Sequence, residues 1–166
     1  AGILGRGRIG KAIAHRLSAH GMKIAYHGRQ AQPVEHRYCA SLIELADTSD
    51  FLIVACPGGG GTRHLINAEV LNALGRDGTL INIARGSVVD ESALIEALNT
   101  RAIRAAGLDV FENEPHVPAE LITSDHVVIL PHVGSATHET RGAMAQLVID
   151  NLSAHFAKKP LLTPVC

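Results

Sequence analysis

A glycine pattern at the start of the chain constrains its fold more than any other feature. Gly5, Gly7 and Gly10 give G-x-G-x-x-G directly after the short apolar run GIL. Apolar residues then recur at every fourth position from Ile9 to Leu17, as on one face of a helix, until Gly21. A strand, a tight turn and a helix in this order are the context in which this pattern binds the pyrophosphate of a dinucleotide.

Each glycine of this loop has its own predicted role. Gly5 permits the tight turn, Gly7 lets the backbone approach a pyrophosphate, and Gly10 allows the helix to pack closely on the strand. The N–H groups around Arg8 and Ile9 lie at the positive end of the helix dipole, where a phosphate is favoured. The sequence therefore predicts a phosphate-binding turn made of these five residues.

Short apolar runs recur along the chain and are predicted to be strands. They cover residues 2–4, 23–26, 51–55, 79–83, 104–110 and 126–130. Helical patterns separate them, including one that Asp90 would cap before Leu94, Ile95 and Leu98, and one from Met144 to Phe156 that ends at Lys158, Lys159 and Pro160. Continuously apolar strands that alternate with helices predict a parallel sheet covered on both faces. We expect an α/β, doubly wound, Rossmann-type NAD(P)-binding domain over residues 1–166.

The end of the second predicted strand, KIAYHGRQ, bears on the choice of cofactor. An acidic residue at this point would accept hydrogen bonds from the adenosine ribose and favour NAD(H). Gly28 stands there instead, and Arg29 follows it. A guanidinium can bind a 2′-phosphate that a carboxylate would repel, so NADP(H) is favoured and NAD(H) is the alternative.

Composition and charge exclude other classes of function. A net charge of -1 gives no electrostatic reason to bind nucleic acid or an acidic membrane surface. No apolar run reaches the roughly 18 residues of a membrane helix, and no leader-like segment opens the chain. Cys39, Cys56 and Cys166 lack disulfide or metal-ligand spacing, so no metal site is expected. We expect a cytoplasmic protein with a small-molecule partner.

Three later segments carry charged or titratable side chains at the ends of successive predicted strands. NIARGSVVDESAL contains Arg85, AGLDVFENEP contains Asp109 and Glu114, and LPHVGSATHETR contains His132. Taken singly, each would be an ordinary surface or structural residue. Because parallel strands end at one edge of a sheet, they are expected to meet at the edge where open α/β sheets bind ligands.

These three segments, together with GRGRIG, resemble the D-isomer-specific 2-hydroxyacid dehydrogenases over almost the whole chain, and most of all their glyoxylate/hydroxypyruvate reductases. The resemblance implies reduction of a small 2-keto acid to the D-2-hydroxy acid with NADPH or NADH. Arg85 would bind the substrate carboxylate and polarise the carbonyl, and His132 would protonate the carbonyl oxygen. Glu114 would hold the imidazole and raise its pKa. The formate dehydrogenases of the family carry Gln in place of this Glu, so they are excluded.

The resemblance also implies a cofactor-binding surface beyond the glycine loop, and a homodimer that pairs through this domain. Asp109 and the backbone near Ala84 would hold the nicotinamide carboxamide. The segment CPGGGGT would border the adenosine and nicotinamide, although four consecutive glycines leave its rigidity in doubt. The implied cofactor contacts outside the loop and the second strand are Cys56, Pro57, Thr62, Ile83, Ala84, Arg85, Asp109, His132 and Gly134.

The chain departs from the family in length, which leaves alternatives open. Family members have a substrate domain built from a long N-terminal segment and a short C-terminal return, whereas this sequence starts at the first strand and stops after residues 163–165. We expect the cofactor domain alone, with weak or no turnover. One alternative is a dinucleotide-sensing interaction module of the C-terminal-binding-protein corepressor type, which Gly28 and Arg29 disfavour. Another is a degenerate domain kept for dimerisation, which the intact Arg, Glu and His do not fit.

Overall fold

A computed structural model describes residues 1–164 of the chain, so Cys166 and the end of the 163–165 segment lie outside the described residues. Seven parallel strands form one sheet within the described part of the chain. The strands are β1 (Gly2–Leu4), β2 (Ala25–His27), β3 (Arg37–Tyr38), β4 (Phe51–Val54), β5 (Thr79–Asn82), β6 (Ala105–Leu108) and β7 (Val127–Ile129). The α-helices are α1 (Arg8–Ala19), α2 (Leu42–Asp47), α3 (Ala68–Leu74), α4 (Glu91–Asn99), α5 (Ala119–Ile122) and α6 (His138–Phe156).

The order of the strands is β3-β2-β1-β4-β5-β6-β7, which confirms the predicted doubly wound sheet. The chain moves outward from β1 to β3 on one side and then from β4 to β7 on the other. The direction therefore reverses between β1 and β4, and open α/β sheets bind ligands in the crevice outside the carboxyl ends at such a switch point. The glycine loop follows β1, so it stands at this crevice.

The core lies on both faces of the sheet. Alternate residues of a strand point to opposite faces, so Leu4 and Leu52 belong to one buried cluster while Ile3 and Ile53 belong to the other. The larger cluster includes Leu71 and other apolar residues of α2, α3 and α4. The strands read as continuously apolar in the sequence because both of their faces are buried.

Side-chain caps fix where several helices begin. The predicted cap at Asp90 is confirmed, since its Oδ1 accepts a hydrogen bond from the Ala93 N–H at 3.1 Å at the start of α4. Ser41, Asn67 and Thr137 cap α2, α3 and α6 in the same way. Each cap satisfies an N–H group that the first helical turn leaves without a partner.

Several elements differ from the sequence expectation. The short strand β3 and the helices α2, α3 and α5 were not predicted individually. The second strand begins at Ala25 and extends to His27, rather than spanning residues 23–26. The predicted ends of β4, β5, β6 and β7 run one or two residues too far, because the sheet pairing stops where each chain turns into its loop.

Among the described residues, 1–131 and 132–164 each form a compact unit. The second of these units contains α6, which confirms the predicted C-terminal helix. The side chain of Thr137 caps the N-terminus of this helix. The large apolar side chains of α6 are exposed, among them Met144 at 57% and Phe156 at 81% of their full accessible area, whereas Ala154 is buried. None of the helices described is long and apolar enough to cross a bilayer.

Candidate functional site

The glycine loop after β1 has the tight turn that the sequence predicts at Gly5. Its φ of +93° lies in a region that side chains with a Cβ rarely adopt. A Cβ placed on Gly5 would also stand 2.6 Å from both the N and the Cα of Cys56. The turn therefore packs its backbone directly on the segment that follows β4, and only glycine fits there.

Gly10 and Gly7 differ in what surrounds them. A Cβ on Gly10 would stand 2.2 Å from the Gly5 carbonyl oxygen, so Gly10 allows α1 to pack against the turn. A Cβ on Gly7 would meet nothing within 4 Å. Gly7 is the exposed N-cap of α1, and Arg8 and Ile9 behind it are exposed as well. This open space in front of a helix N-terminus fits the pyrophosphate of a dinucleotide.

The end of β2 presents a free guanidinium next to a residue without a side chain. Gly28 follows β2 directly, and its carbonyl accepts a hydrogen bond from the Tyr38 hydroxyl at 3.3 Å. Arg29 is exposed and forms no ion pair or hydrogen bond with any residue that the structure describes. An acidic group that would bind a ribose hydroxyl is absent from both positions, so the chemistry of the site fits a 2′-phosphate.

Arg6 connects this region to the glycine loop, a role that the sequence did not reveal. Its guanidinium donates to Oε1 of Gln32 at 2.8 Å, and the Gln32 amide donates back to the Arg6 carbonyl at 3.1 Å. The Arg6 side chain also lies over the ring of Tyr26, 5.4 Å from its centre. The segment after Arg29 is thereby held against the phosphate-binding turn.

Asn82 at the end of β5 shapes the turn that presents Arg85. Its Oδ1 accepts a hydrogen bond from the Ala84 N–H at 3.0 Å, and its Nδ2 donates to the Arg85 carbonyl at 3.1 Å. Asn82 is buried, whereas Arg85 is exposed at the carboxyl edge of the sheet. A polar residue inside an apolar strand was the signal that could have identified Asn82. Ile83, between them, is half-buried.

The segment CPGGGGT lies against Arg85. A Cβ on Gly58 would stand 2.7 Å from Cγ of Arg85, so the backbone at Gly58 is in close contact with the Arg85 side chain. Thr62 closes the segment on itself, because its hydroxyl donates to the Pro57 carbonyl at 2.9 Å. Cys56 is buried, and burial raises the pKa of its thiol. The structure thus brings together this segment and the turn after β5.

Asp109 and Glu114 follow β6 at the same edge. Asp109 is buried, and its N–H donates to the Asn82 carbonyl at 3.0 Å. Glu114 is exposed, and its Oε1 accepts a hydrogen bond from the Phe111 N–H at 3.0 Å. A Cβ on Gly86 would overlap the Phe111 carbonyl group, so this loop packs on the backbone next to Arg85.

Two carboxylates beside Glu114 have shifted pKa values in opposite directions. A hydrogen bond from His64, together with Arg63, lowers the pKa of Glu112. Burial raises the pKa of Glu91, and the nearby charges of Glu112 and Glu114 add to the effect. The loop after β6 therefore lies in a strongly charged surrounding that the sequence did not indicate.

His132 and Gly134 belong to the second compact unit, in the exposed segment before α6. His132 has a φ of +54°, a left-handed conformation that is uncommon for a residue with a side chain. Such conformations are concentrated at functional sites. The remaining predicted site residues lie within residues 1–131.

The reversed strand order, the glycine turn and the open helix N-terminus define a dinucleotide-binding domain of the doubly wound class. Residues 1–134 match the family described as "D-isomer specific 2-hydroxyacid dehydrogenase, NAD binding domain". The chain belongs to this family.

Relatives of known name agree with that assignment. The chain is 54% identical to glyoxylate/hydroxypyruvate reductase A of Arabidopsis thaliana and to hydroxyphenylpyruvate reductase of Plectranthus scutellarioides, in both cases over 165 residues, which are 99% of this chain and 53% of the relative. It also superimposes on the crystal structure of an NADPH-dependent glyoxylate/hydroxypyruvate reductase from Sinorhizobium meliloti in complex with NADP and malonate. The TM-score is 0.98 at 51% identity, covering 99% of this chain and 52% of that one. The chain therefore spans about half the length of these relatives.

Proposed function

We propose that the protein to which this chain belongs reduces a small 2-keto acid, such as glyoxylate or hydroxypyruvate, to the D-2-hydroxy acid with NADPH. The observation that carries the proposal is the position of Arg85. Arg85 is exposed at the carboxyl edge of the sheet whose first loop forms the phosphate-binding turn, and its guanidinium donates to the Ala84 carbonyl at 2.6 Å. The names of the relatives, which include glyoxylate/hydroxypyruvate reductases, support the same reaction.

The proposed cofactor is NADP(H), with the pyrophosphate at Gly7, Arg8 and Ile9. The free guanidinium of Arg29 would bind the 2′-phosphate, since Gly28 leaves room and adds no negative charge. The nicotinamide would be bordered by residues at the strand ends after β4, β5 and β6, namely Cys56, Pro57, Thr62, Ile83, Ala84 and Asp109. The proposed cofactor contacts also include His132 and Gly134. An S. meliloti relative that is NADPH-dependent supports this choice.

The proposed chemistry divides the work among three side chains. When bound, NADPH would supply the hydride that reduces the keto carbon. Arg85 binds the substrate carboxylate with its planar pair of donors and polarises the carbonyl. His132 donates a proton to the carbonyl oxygen, so that hydride and proton together yield the hydroxyl group. Glu114 stabilises the protonated imidazole, which keeps the proton available near neutral pH.

We further propose that residues 1–166 serve as one NAD(P)-binding domain, that the protein is a homodimer, and that it is cytoplasmic. The exposed large apolar side chains of α6 support self-association, because several exposed apolar side chains on one helix are more stable when an interface covers them. The unpaired thiols of Cys39 and Cys56 support a reducing compartment. A monomeric mass by light scattering would contradict the dimer.

The relatives do not favour a dinucleotide-sensing corepressor module, since the two curated relatives named above are reductases. A domain kept only for dimerisation is disfavoured by the organised turn that presents Arg85.

The test supplies this chain with the substrate-domain segments of the A. thaliana reductase and follows NADPH and NADH oxidation with glyoxylate and hydroxypyruvate. We expect substrate-dependent turnover that prefers NADPH and that Arg85→Ala reduces at least a hundredfold. Arg76→Ala, at an exposed arginine after α3, is the control for the change in charge. Tight dinucleotide binding without turnover would instead support a sensing module.

A further inference from the structure

A cluster of charged side chains outside the proposed catalytic set joins two of the loops at the carboxyl edge. Nε2 of His64 lies 2.9 Å from Oε1 of Glu112, and the Arg63 guanidinium lies 2.6 Å from the same oxygen. An ionised carboxylate can only accept, so Nε2 carries the hydrogen. The other ring nitrogen of His64 lies 3.9 Å from Oδ2 of Asp90. The imidazole therefore stands between two carboxylates from two different loops.

The backbone around His64 is bonded to the same two loops. Its N–H donates to the Ser87 carbonyl at 2.9 Å, and the Ile66 N–H donates to the Val88 carbonyl at 3.0 Å. The Glu112 N–H in turn donates to the carboxylate of Glu91 at 2.7 Å. The chain after β4, the turn after β5 and the loop after β6 are thus connected through one small region.

The segment before His64 needs such a connection, because it contains four consecutive glycines. Glycine loses more conformational freedom than any other residue when a chain becomes ordered. A Cβ on Gly59, Gly60 or Gly61 would meet nothing within 4 Å, so these residues lie open on the side where a side chain would stand. Thr62 closes these residues on themselves through hydrogen bonds to the Pro57 and Gly59 carbonyls. The position of the closed segment on the protein is then fixed by its two ends, which are the strand end at β4 and His64.

We propose that His64 is a positioning residue that clamps residues 57–62 and the loop bearing Glu114 onto the turn bearing Arg85. Gly58 contacts the Arg85 side chain, and Glu112 is two residues from Glu114 in the chain. Loss of this clamp allows residues 57–62 and the loop bearing Glu114, the two segments next to Arg85, to move. Hydrogen bonding from His64 keeps Glu112 ionised by lowering its pKa, which strengthens the contact. This inference rests on the proposed function for its catalytic consequence, but not for the clamp itself.

Two substitutions of His64 separate the hydrogen bond from the backbone. His64 has a φ of +51°, which any side chain with a Cβ adopts only under strain, so His64→Leu and His64→Gln share that strain. The Gln side chain retains an N–H donor at a reach similar to Nε2, whereas the Leu side chain has none. Glu44→Gln is the control, since it weakens a surface ion pair of 2.9 Å with Arg37 that touches none of the three loops.

The clamp is measured by hydrogen exchange in the 166-residue chain. We expect His64→Leu to speed exchange at the amides of residues 62, 64, 66 and 112 about tenfold or more. We expect His64→Gln and Glu44→Gln to leave these amides close to the parent rates. Equal exchange rates in His64→Leu and the parent would overturn the proposal. An equal increase of the exchange rates in His64→Leu and His64→Gln would overturn it as well.

The catalytic consequence is measured in the protein that carries the substrate domain. We expect His64→Leu to lower kcat/KM for the keto acid about 10- to 100-fold, with His64→Gln within about threefold of the parent. An altered exchange rate with unchanged kcat/KM would overturn the positioning role. If the parent itself does not turn over, the proposed function fails, and the exchange measurement alone decides whether His64 is a clamp.

Discussion

The glycines of the phosphate-binding turn differ in what an added Cβ atom would meet. The space in front of Gly7 is open, whereas a Cβ on Gly10 would overlap a carbonyl oxygen of the turn. Gly10 is therefore required by the fold, whereas Gly7 is proposed to serve the ligand. The sequence predicted both roles, because the G-x-G-x-x-G spacing reflects constraints that act within six residues.

Substitution by alanine tests this division. Gly7→Ala should leave the free energy of unfolding within about 0.5 kcal/mol of the parent, but weaken NADPH binding about tenfold or more. Gly10→Ala should destabilise the chain by at least about 1 kcal/mol, because the added methyl group displaces α1. Urea unfolding and calorimetric titration measure the two effects. A Gly7→Ala variant with normal affinity would contradict the assigned approach of the pyrophosphate.

Arg29 carries the proposed preference for NADP(H), and a single substitution examines it. Arg29→Ala should weaken NADPH binding about 10- to 100-fold, the worth of one or two charge-assisted contacts, and leave NADH binding nearly unchanged. Arg76→Ala removes an equivalent exposed charge elsewhere and should change neither affinity. Equal losses for both dinucleotides in Arg29→Ala would remove its assignment to the 2′-phosphate.

At the scale of elements, the loops at the carboxyl edge are organised by polar groups that lie within or beside buried strands. Asn82 ends β5 and bonds to the backbone on both sides of the turn that carries Arg85. This role could not be predicted from the sequence, because it depends on which backbone groups the turn leaves without partners. The shape of that turn becomes defined only once the sheet has formed.

Removal of the Asn82 side chain should expose this dependence. Asn82→Ala leaves the Ala84 N–H without its partner and removes one of two donors to the Arg85 carbonyl, the other being the Val88 N–H at 3.1 Å. We expect a loss of about 1–3 kcal/mol in the free energy of unfolding. Asn72→Ala, at an exposed position on α3, should change it by less than about 0.5 kcal/mol. Urea unfolding compares the two variants, and similar small losses in both would contradict the role of Asn82.

Glu91 at the start of α4 makes the stability of these loops dependent on pH. Burial raises its pKa above the ordinary value of 4.5. Its contribution is therefore fully present below that value and is lost as the pH rises through the raised pKa. Glu91→Gln resembles the protonated acid and can still accept from the Glu112 N–H. We expect the variant to be more stable than the parent near neutral pH and equal to it in acid.

Urea unfolding at neutral pH and below about pH 4 measures the difference, with Glu96→Gln on the exposed side of α4 as the control. The pKa of Glu112 is lowered, so Glu112 contributes stability that is lost as the pH falls. This contribution is present in the parent and in both variants. A Glu91→Gln variant that is less stable than the parent near neutral pH would contradict the account.

Short elements were the hardest to predict. The strand β3 has only two residues, Arg37 and Tyr38, and too few positions to show a pattern. The helix α2 has six residues, yet Ser41 and Glu44 carry the S-x-x-E signature of a helix start, so its N-terminus was readable from the sequence. Longer elements such as α1, α4 and α6 were predicted because their apolar positions repeat over several turns.

At the scale of the whole molecule, the order of the strands explains why distant segments form one site. Within residues 1–131, the structure brings the glycine turn, residues 56–62, Arg85 and the loop of Glu114 to the carboxyl edge. The convergence of strand ends was predictable because parallel strands all end at the same edge. Contacts between the loops, such as the one between His64 and Glu112, were not predictable, because residues 48 apart in sequence meet only after the sheet has formed.

The central claim is that this chain binds NADP(H) in preference to NAD(H) as the cofactor domain of a keto-acid reductase. Calorimetric titration of the 166-residue chain with NADPH and with NADH, under the same conditions, tests it most directly. The account predicts that NADPH binds about tenfold tighter or more, because Arg29 contacts the 2′-phosphate and Gly28 leaves room for it. Equal affinities, or tighter binding of NADH, would contradict it.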